Sequence, residues 1–200
     1  MGLGKTIQVL ALLDSRRTRR GDDANSVLSP SLVVVPRSLI FHWREEAARF
    51  TPELKILEHS GAGRRHPGEH FNSDDLVITT YGTLARDALH FKNVCFDYCI
   101  LDEAQAIKNA NTASAKACRL LRARNRLVLT GTPVENRVEE LWSLLEFLNP
   151  GMLGASAKFA SLSRLVPPDN VAEGVTGNER ALLSQALRPV IMRRTKEKVA

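Results

Sequence analysis

The sequence lacks any apolar run long enough for a membrane-spanning helix. Such a helix needs about eighteen consecutive apolar residues, and every apolar stretch among the 200 residues is shorter than that. We therefore expect no contact with a membrane. Hydrophobic residues make up 44% of the chain and charged residues 25%, a balance typical of a globular domain with a buried core.

Cysteine is scarce, with three residues at positions 95, 99 and 118. Cys95 and Cys99 are four residues apart, but no second pair follows that would complete a zinc site. Three cysteines also do not form a disulfide framework. We therefore expect reduced, structural cysteines and a cytoplasmic location.

Acidic residues are fewer than basic ones, 22 against 28, which leaves a formal net charge of +6. A positive surplus favours a polyanionic partner such as a nucleic acid. Many basic proteins bind no nucleic acid, so the charge alone does not identify one.

Strand-like and helical segments alternate up to about residue 150. Short apolar runs rich in β-branched residues predict buried strands, at 32–35, 54–57, 76–80, 98–101 and 127–130. Helical spacing predicts helices at 7–13, 38–50 (with Ser38 as N-cap), 84–89, 112–123 and 138–148, and loops at 14–30 and 60–74. The alternation predicts an α/β fold with a central, mostly parallel sheet and helices on both faces.

The pattern weakens after residue 150. Residues 151–180 are rich in Gly, Pro and Ser, a short helix is predicted at 181–187, and a basic segment follows at 191–196. We expect a compact domain over residues 1–150 and an extension over residues 151–200.

The strongest chemical signal is at the start of the chain, where Gly4-Lys5-Thr6 are residues four to six. In a phosphate-binding loop, glycine lets backbone N–H groups approach phosphate, lysine reaches the β- and γ-phosphates, and the threonine hydroxyl binds Mg²⁺. The complete motif, G-x-x-x-x-G-K-[ST], requires a glycine five residues before Gly4, and the chain contains no such position. The alternative is a chance Gly-Lys-Thr.

Asp102 and Glu103 come directly after the strand predicted at 98–101. A phosphate-loop site needs a carboxylate on a second strand to hold magnesium, which predicts that role for Asp102. Glu103 is then placed to act as a general base on water. An ordinary acidic turn is the alternative, although two signals in the right order on the right elements disfavour it.

Thr130-Gly131-Thr132 follows another predicted strand. Small hydroxyl residues there can link a nucleotide pocket to a second site through hydrogen bonds, but a plain turn before Pro133 explains the spacing equally well. Pro36, Thr80, Asp102 and Thr130 all fall at carboxyl ends of predicted strands. In open parallel sheets, ligands bind at that edge.

In this order, the segments resemble the motifs of the SWI/SNF-type ATPases, within the superfamily-two helicases. Residues 1–8 resemble motif I, 35–40 with Trp43 motif Ia, 78–81 motif Ib, 102–109 motif II, and 129–136 motif III; residues 139–145 and 193–196 also fit. The resemblance covers almost the whole chain. Gln105, where many relatives carry His, is typical of the bacterial branch.

The resemblance implies a RecA-like P-loop NTPase lobe that hydrolyses ATP with Mg²⁺ and moves on double-stranded DNA, remodelling bound protein complexes, in the cytoplasm and associated with the nucleoid. It implies ATP binding by Gly2, Leu3, Gly4, Lys5 and Thr6. Thr6 and Asp102 would hold Mg²⁺, and Lys5, Asp102 and Glu103 would carry the catalysis.

The same resemblance implies two further groups of residues. Nucleotide state would be coupled to the grip on DNA by Gln105, Thr130, Gly131 and Thr132. The residues that would lie along the DNA backbone are Pro36, Arg37, Ser38, Thr80 and Tyr81.

Two parts of the family pattern have no counterpart in the chain. One is the segment that recognises adenine, with the first strand and the start of the phosphate loop, and the other is the second RecA-like lobe with its arginine finger. We therefore expect a fragment that binds nucleotide weakly and turns it over negligibly. The alternatives are a non-enzymatic basic module that binds DNA or protein, and an inactive gene fragment.

Overall fold

The computed structural model describes residues 4–21, 29–64, 71–131, 138–152 and 192. The helices are α1 Lys5–Gly21, α2 Ile40–Phe50, α3 Tyr81–Arg86, α4 Ala88–Phe91, α5 Ala113–Leu120 and α6 Val138–Leu148. The strands are β1 Ser31–Val35, β2 Ile56–His59, β3 Leu76–Thr80, β4 Cys95–Leu101 and β5 Arg122–Val128. Short 3-10 turns lie at Arg37–Leu39, Phe71–Ser73 and Ala104–Ile107.

The described strands form one parallel sheet in the order β2-β3-β1-β4-β5. Strand β1 lies at its centre, where Val33 is opposite Ile78 of β3 and Ile100 of β4. All five residues of β1 are buried, as expected for a parallel strand that is covered on both faces. The parallel sheet predicted from the sequence is confirmed.

Side chains of β1 alternate between two hydrophobic cores, one on each face of the sheet. Leu32 and Val34 pack into the core that includes residues of α3, α4, α5 and α6. Val33 and Val35 pack into the other core, against α1 and α2. Helices on both faces are therefore confirmed, and none in the described part of the chain is long and apolar enough to cross a membrane.

Two boundaries differ from the sequence prediction because polar segments adopt regular structure. The loop predicted from residue 14 is wrong at its start, since α1 continues to Gly21; arginine is a good helix former, and this segment is rich in it. Strand β5 begins at Arg122, where the sequence predicted the end of a helix. Its alternating basic residues suit the edge position that β5 occupies.

Ser38 is not the N-cap of α2, as the spacing predicted. It lies inside the 3-10 turn, and α2 begins at Ile40 without a capping side chain. By contrast, Thr80 and Thr112 cap α3 and α5, because each hydroxyl accepts a hydrogen bond from the backbone N–H three residues later. The helix predicted at 181–187 lies outside the described residues.

The three cysteines are free thiols, as predicted. Cys99 and Cys118 are buried, and burial raises the pKa of Cys118 to about 12 and the pKa of Cys99 further still. Both thiols therefore stay protonated and unreactive at neutral pH. Cys95 is exposed on the surface.

Candidate functional site

Gly4 directly precedes α1, and glycine is favoured there by the backbone conformation alone. Gly4 has a φ of 67°, in the left-handed region that glycine adopts without strain. A Cβ there would meet no atom within 4 Å, so conformation and not space favours glycine. The Gly4 carbonyl accepts from the N–H of Gln8 at 3.0 Å, which starts the helix. Lys5 and Thr6 thus occupy the first turn of a long helix, whose N-terminus attracts anions.

Asp102 is held in place by four hydrogen bonds at the carboxyl end of β4. Its N–H donates to Val34 O at 2.9 Å, and its Oδ1 accepts from the N–H of Glu103 at 2.9 Å. Its Oδ2 accepts from the indole Nε1 of Trp43 at 2.9 Å, and its carbonyl accepts from the Tyr81 hydroxyl at 2.8 Å. Asp102 is 5% exposed, so this carboxylate has a fixed orientation.

Glu103 brings the second acidic group of the site close to the phosphate-loop lysine. Its Oε1 lies 3.8 Å from the Lys5 Nζ, and its Oε2 accepts from the side-chain amide of Gln105 at 3.0 Å. An ion pair this exposed contributes under about 1 kcal/mol to stability. Its significance is geometric, because the ammonium and the carboxylate border the same space.

Gly131 completes that space from a third segment of the chain. A Cβ added to Gly131 would lie 3.5 Å from the Lys5 Nζ and 3.7 Å from Glu103 Oε1. Next to it, the Thr130 hydroxyl donates a long hydrogen bond of 3.5 Å to the Gln105 side-chain oxygen. The structure therefore brings together Lys5, Glu103, Gln105, Thr130 and Gly131, which the sequence placed in three separate motifs.

The predicted DNA-contacting segments meet at the same edge of the sheet. Val35 of β1 is the register partner of Thr80 of β3, so the two strand ends lie side by side. Arg37 and Ser38 are exposed, while Pro36 and Thr80 are half-buried. The Thr80 hydroxyl caps α3, which is a structural task in addition to any contact with a ligand.

Tyr81 is placed differently from the prediction. Its side chain is 7% exposed, and its hydroxyl is engaged by the Asp102 carbonyl. Burial raises the pKa of the phenol far above its ordinary value, so it stays neutral. We therefore assign the Tyr81 side chain to the support of Asp102, since a buried ring cannot lie along a DNA backbone.

The oxygen ligands present suit a magnesium ion. Mg²⁺ in phosphate-loop sites is held by one or two protein oxygens together with phosphate and water, which the Thr6 hydroxyl and the Asp102 carboxylate can supply. Each Asp102 oxygen accepts one hydrogen bond from the protein and keeps a free lone pair. The described residues contain no cluster of three or more His, Cys, Asp or Glu that would hold a metal by itself.

The sequence did not indicate the contact that the Trp43 indole makes with Asp102. Its spacing predicted only an apolar position on α2, and it is indeed fully buried there. Nothing in the spacing shows that its N–H reaches a carboxylate 59 residues further along the chain. Gly2, Leu3 and Thr132, which were also predicted for the site, lie outside the described residues.

Known proteins resemble this chain along its whole length. The SNF2-related domain family matches residues 1–200. The TATA-binding protein-associated factor BTAF1 of Arabidopsis thaliana is 36% identical over 211 residues, covering 100% of this chain and 10% of that protein. The putative ATP-dependent helicase/translocase YwqA of Bacillus subtilis is 37% identical over 201 residues, covering 98% of this chain and 21% of that protein.

Solved structures agree in fold. The Sulfolobus solfataricus SWI2/SNF2 ATPase core in complex with dsDNA superposes with a TM-score of 0.82 at 37% identity, covering 98% of this chain and 39% of that chain. The Sulfolobus solfataricus SWI2/SNF2 ATPase core domain gives 0.79 at 36% identity. The chain thus spans a tenth to about a fifth of the length of these curated relatives. The interpretation of Gln105 as typical of the bacterial branch stays a prediction. The chain therefore belongs to the SNF2-related domain family of SWI2/SNF2 superfamily-two helicase ATPases and has their RecA-like α/β fold.

Proposed function

We propose that the chain is the ATP-binding lobe of an ATP-dependent translocase on double-stranded DNA, which hydrolyses Mg-ATP together with a second RecA-like lobe. The observation that carries this proposal is the convergence of Lys5, Glu103 and Gly131: the Lys5 Nζ lies 3.8 Å from Glu103 Oε1, and a Cβ added to Gly131 would lie within 4 Å of both side chains. Three motifs that are distant in sequence surround one space at the sheet edge where α/β proteins bind ligands.

We assign each of the site residues predicted from the sequence a distinct task. Gly2, Leu3 and Gly4 would present backbone N–H groups to the phosphates, and the Lys5 ammonium would balance the charge of the β- and γ-phosphates. Thr6 and Asp102 would hold Mg²⁺, which neutralises charge on the phosphates and orients them when it is bound. Glu103 would accept a proton from the attacking water.

The hydrogen-bonded link from Glu103 through Gln105 to Thr130 supports a coupling role. A change at Glu103 during hydrolysis would alter the Gln105 amide and, through it, Thr130. Gly131 and Thr132 follow directly on that segment. We assign these residues to the transfer of nucleotide state toward the DNA-binding surface.

The DNA surface is formed by Pro36, Arg37, Ser38 and Thr80 on two adjacent strand ends. Its contacts would be to phosphates and therefore independent of base sequence. The net charge of +6 and the similarity to an ATPase core solved with dsDNA support this surface.

Within this proposal, residues 1–150 form the lobe, and residues 151–200 would form an extension and basic linker that lead to the second lobe. The chain covers 39% of the similar ATPase core, which supports a second lobe as partner, and the arginine of that lobe would raise the rate by about 10³–10⁵. A DNA-bound protein complex is the proposed target, and the cytoplasm, at the nucleoid, the proposed location.

The nucleotide site is tested by binding of a fluorescent ATP analogue to the 200-residue chain in Mg²⁺. Lys5→Ala removes charge-assisted hydrogen bonds to phosphate, so its Kd should rise at least about tenfold. Lys116→Ala is the matched control, because Lys116 is exposed on α5 and away from the site. Equal affinities for wild type and Lys5→Ala would show that the site assignment is wrong.

The DNA surface is tested by duplex binding across a salt series. Arg37→Ala should weaken binding to any sequence and reduce the slope of log K against log salt by about one. Arg122→Ala is the control, since Arg122 begins β5 at the opposite edge of the sheet. If the affinity for duplex DNA changes neither when ATP is added nor in the Lys5→Ala variant, the chain is a basic binding module and not an ATPase lobe.

A further inference from the structure

We propose that Trp43 is a positioning residue for the magnesium carboxylate, and that it links the DNA-facing turn Arg37–Leu39 to Asp102. This inference rests on the proposed function and deepens it. It assigns to a buried indole the task of transmitting DNA contact to the metal site.

The hydrogen bond itself is the first argument. Trp43 is fully buried, and its Nε1 donates to Asp102 Oδ2 at 2.9 Å. Apolar packing alone would be served by phenylalanine or leucine, whereas the indole N–H adds a donor, and here the donor has an acceptor, unlike the buried Nε1 of Trp142. The acceptor here is a carboxylate, and hydrogen bonds to charged groups are about twice as strong as neutral ones.

The second argument is the position of Trp43 on α2. Helix α2 begins at Ile40, directly after the turn Arg37–Leu39, in which Arg37 and Ser38 are exposed. Trp43 lies in the first turn of this helix. A phosphate bound at Arg37 and Ser38 would contact the turn that leads directly into α2, four to six residues before the indole in the chain.

A second donor reaches Asp102 from the opposite face of the sheet. Tyr81 follows Thr80 directly, begins α3, and donates to the Asp102 carbonyl at 2.8 Å. Trp43 belongs to the core under α1 and α2, and Tyr81 to the core on the other face. Asp102 is therefore held between two helices, and each of them follows one proposed DNA-contacting strand end.

The two donors act on different parts of Asp102. Tyr81 fixes the backbone, while Trp43 fixes the carboxylate, whose oxygens bind the metal. Groups that orient a metal ligand in this way typically change metal affinity 10–100-fold when they are removed. Loss of the indole N–H should therefore weaken Mg²⁺ binding and leave the metal-free nucleotide contacts intact.

The test is a Mg²⁺ titration of fluorescent ADP binding to wild type, Trp43→Phe and Trp142→Phe. Trp43→Phe keeps a buried ring but loses the donor, so the Mg²⁺ concentration for half-maximal binding should rise about tenfold. Its affinity for ADP in excess EDTA should not change. Trp142→Phe should match wild type, and Tyr81→Phe should show a smaller rise than Trp43→Phe. Equal Mg²⁺ dependence of Trp43→Phe and wild type overturns the proposal.

NMR provides a readout that does not depend on nucleotide binding. The chain has two tryptophans, so ¹H–¹⁵N spectra contain two indole signals, and Trp142→Phe assigns that of Trp43. Asp102→Asn should move the Trp43 signal upfield, because a neutral acceptor replaces the carboxylate, and this holds even if Trp43→Phe fails to fold. An unmoved signal overturns the proposal.

The link to DNA is tested on the same signal. A short random-sequence duplex should shift the Trp43 indole signal of wild type, and Arg37→Ala should reduce that shift. A duplex that binds without shifting the signal overturns the link. If the chain binds no ADP but Asp102→Asn still shifts the Trp43 indole signal, the proposed function is refuted, while the hydrogen bond between Trp43 and Asp102 is supported.

Discussion

Glu103 holds a left-handed backbone conformation, with a φ of 47°. It is the one non-glycine residue with positive φ in the described part of the chain. Such a conformation costs about 1–2 kcal/mol for a residue with a Cβ. It turns the chain from β4 into the 3-10 turn Ala104–Ile107 and directs the carboxylate toward Lys5. Strain of this kind is retained where geometry serves a function.

The strain predicts a reversal of the usual order of alanine and glycine at position 103. Glu103→Ala and Glu103→Gly both remove the carboxylate, so the difference in stability between them reports the backbone conformation at position 103. Glycine adopts this φ freely, and Glu103→Gly should be more stable than Glu103→Ala by about 1 kcal/mol. Urea denaturation monitored by circular dichroism measures the difference.

Lys108 supplies the control for this comparison. It directly follows the 3-10 turn Ala104–Ile107 and has a φ of −53°, in the ordinary helical region. There the alanine variant should be the more stable, by about 0.5–1 kcal/mol. The same order at both positions would mean that Glu103 is not strained.

At the scale of elements, an ion pair between the partly exposed Arg16 and the buried Asp97 joins α1 to β4. Asp97 is fully buried in the middle of β4, and Arg16 donates to its two oxygens at 3.2 and 2.9 Å. These hydrogen bonds raise the pKa of Arg16. Helix α1 carries Lys5 at its start, and β4 leads into Asp102 at its end. The pair therefore joins the helix that carries Lys5 to the strand that leads into Asp102.

Removal of Arg16 should destabilise the chain strongly. Arg16→Met removes the two hydrogen bonds that the guanidinium donates to the buried Asp97 carboxylate, which should cost about 1.5–3 kcal/mol. The neighbouring Arg17 pairs with Asp14 on the same helix at 3.2 Å, where both side chains are partly exposed, so Arg17→Met should cost under about 0.5 kcal/mol. Unfolding free energies from urea titrations compare the two variants, and similar losses would refute this account.

The elements that the sequence predicted well are those with one clear pattern. β1 is apolar at Leu32–Val35 because both faces are covered, and α6 shows one apolar face. β5 was misjudged because its first residues, Arg122–Arg126, alternate basic with small or polar side chains. That composition resembles a helix surface as much as an edge strand, and only pairing with β4 decides between them.

Prediction of the site followed the same division. Local motifs gave Lys5, Asp102 and Glu103 as candidates, because phosphate and metal chemistry requires those residue types after a strand or before a helix, and their roles stay predictions. The contacts of Trp43 and Tyr81 with Asp102 were not predictable, because they join residues whose spacing carries no signal. Such contacts arise only when the two faces of the sheet are packed.

For the molecule as a whole, a buried polar cluster at the carboxyl end of β2 couples stability to pH. Asp87 accepts from Arg64 at 2.6 and 2.9 Å and lies 3.0 Å from His59 Nε2. The Arg64 hydrogen bonds are the main reason that the pKa of Asp87 is lowered to about 2, with His59 assisting. A lowered pKa stabilises the fold above the unfolded value near 4, and this stabilisation is lost as pH falls through about 2.

The cluster predicts how an Arg64 variant responds to acid. Arg64→Met should be less stable than wild type at pH 5, because Asp87 is ionised there and has lost its main partner. The difference should shrink steadily between pH 4 and about 2, where Asp87 becomes protonated in both proteins. Urea unfolding at several pH values measures it. Arg44→Met, which removes an exposed pair with Glu58, should show no comparable pH dependence.

The parallel arrangement of the sheet also affects how the chain reaches this structure. None of the described neighbouring strands are joined by a hairpin, and β1 pairs with β3 and β4, which come tens of residues later. The chain must therefore lose the entropy of closing long loops before the strand contacts that stabilise them form, and this slows folding. Until β3 and β4 arrive, the apolar β1 has free edges that can pair with other copies. Refolding yield should accordingly fall as protein concentration rises, with aggregation beginning at the strand that is most deeply buried in the finished fold.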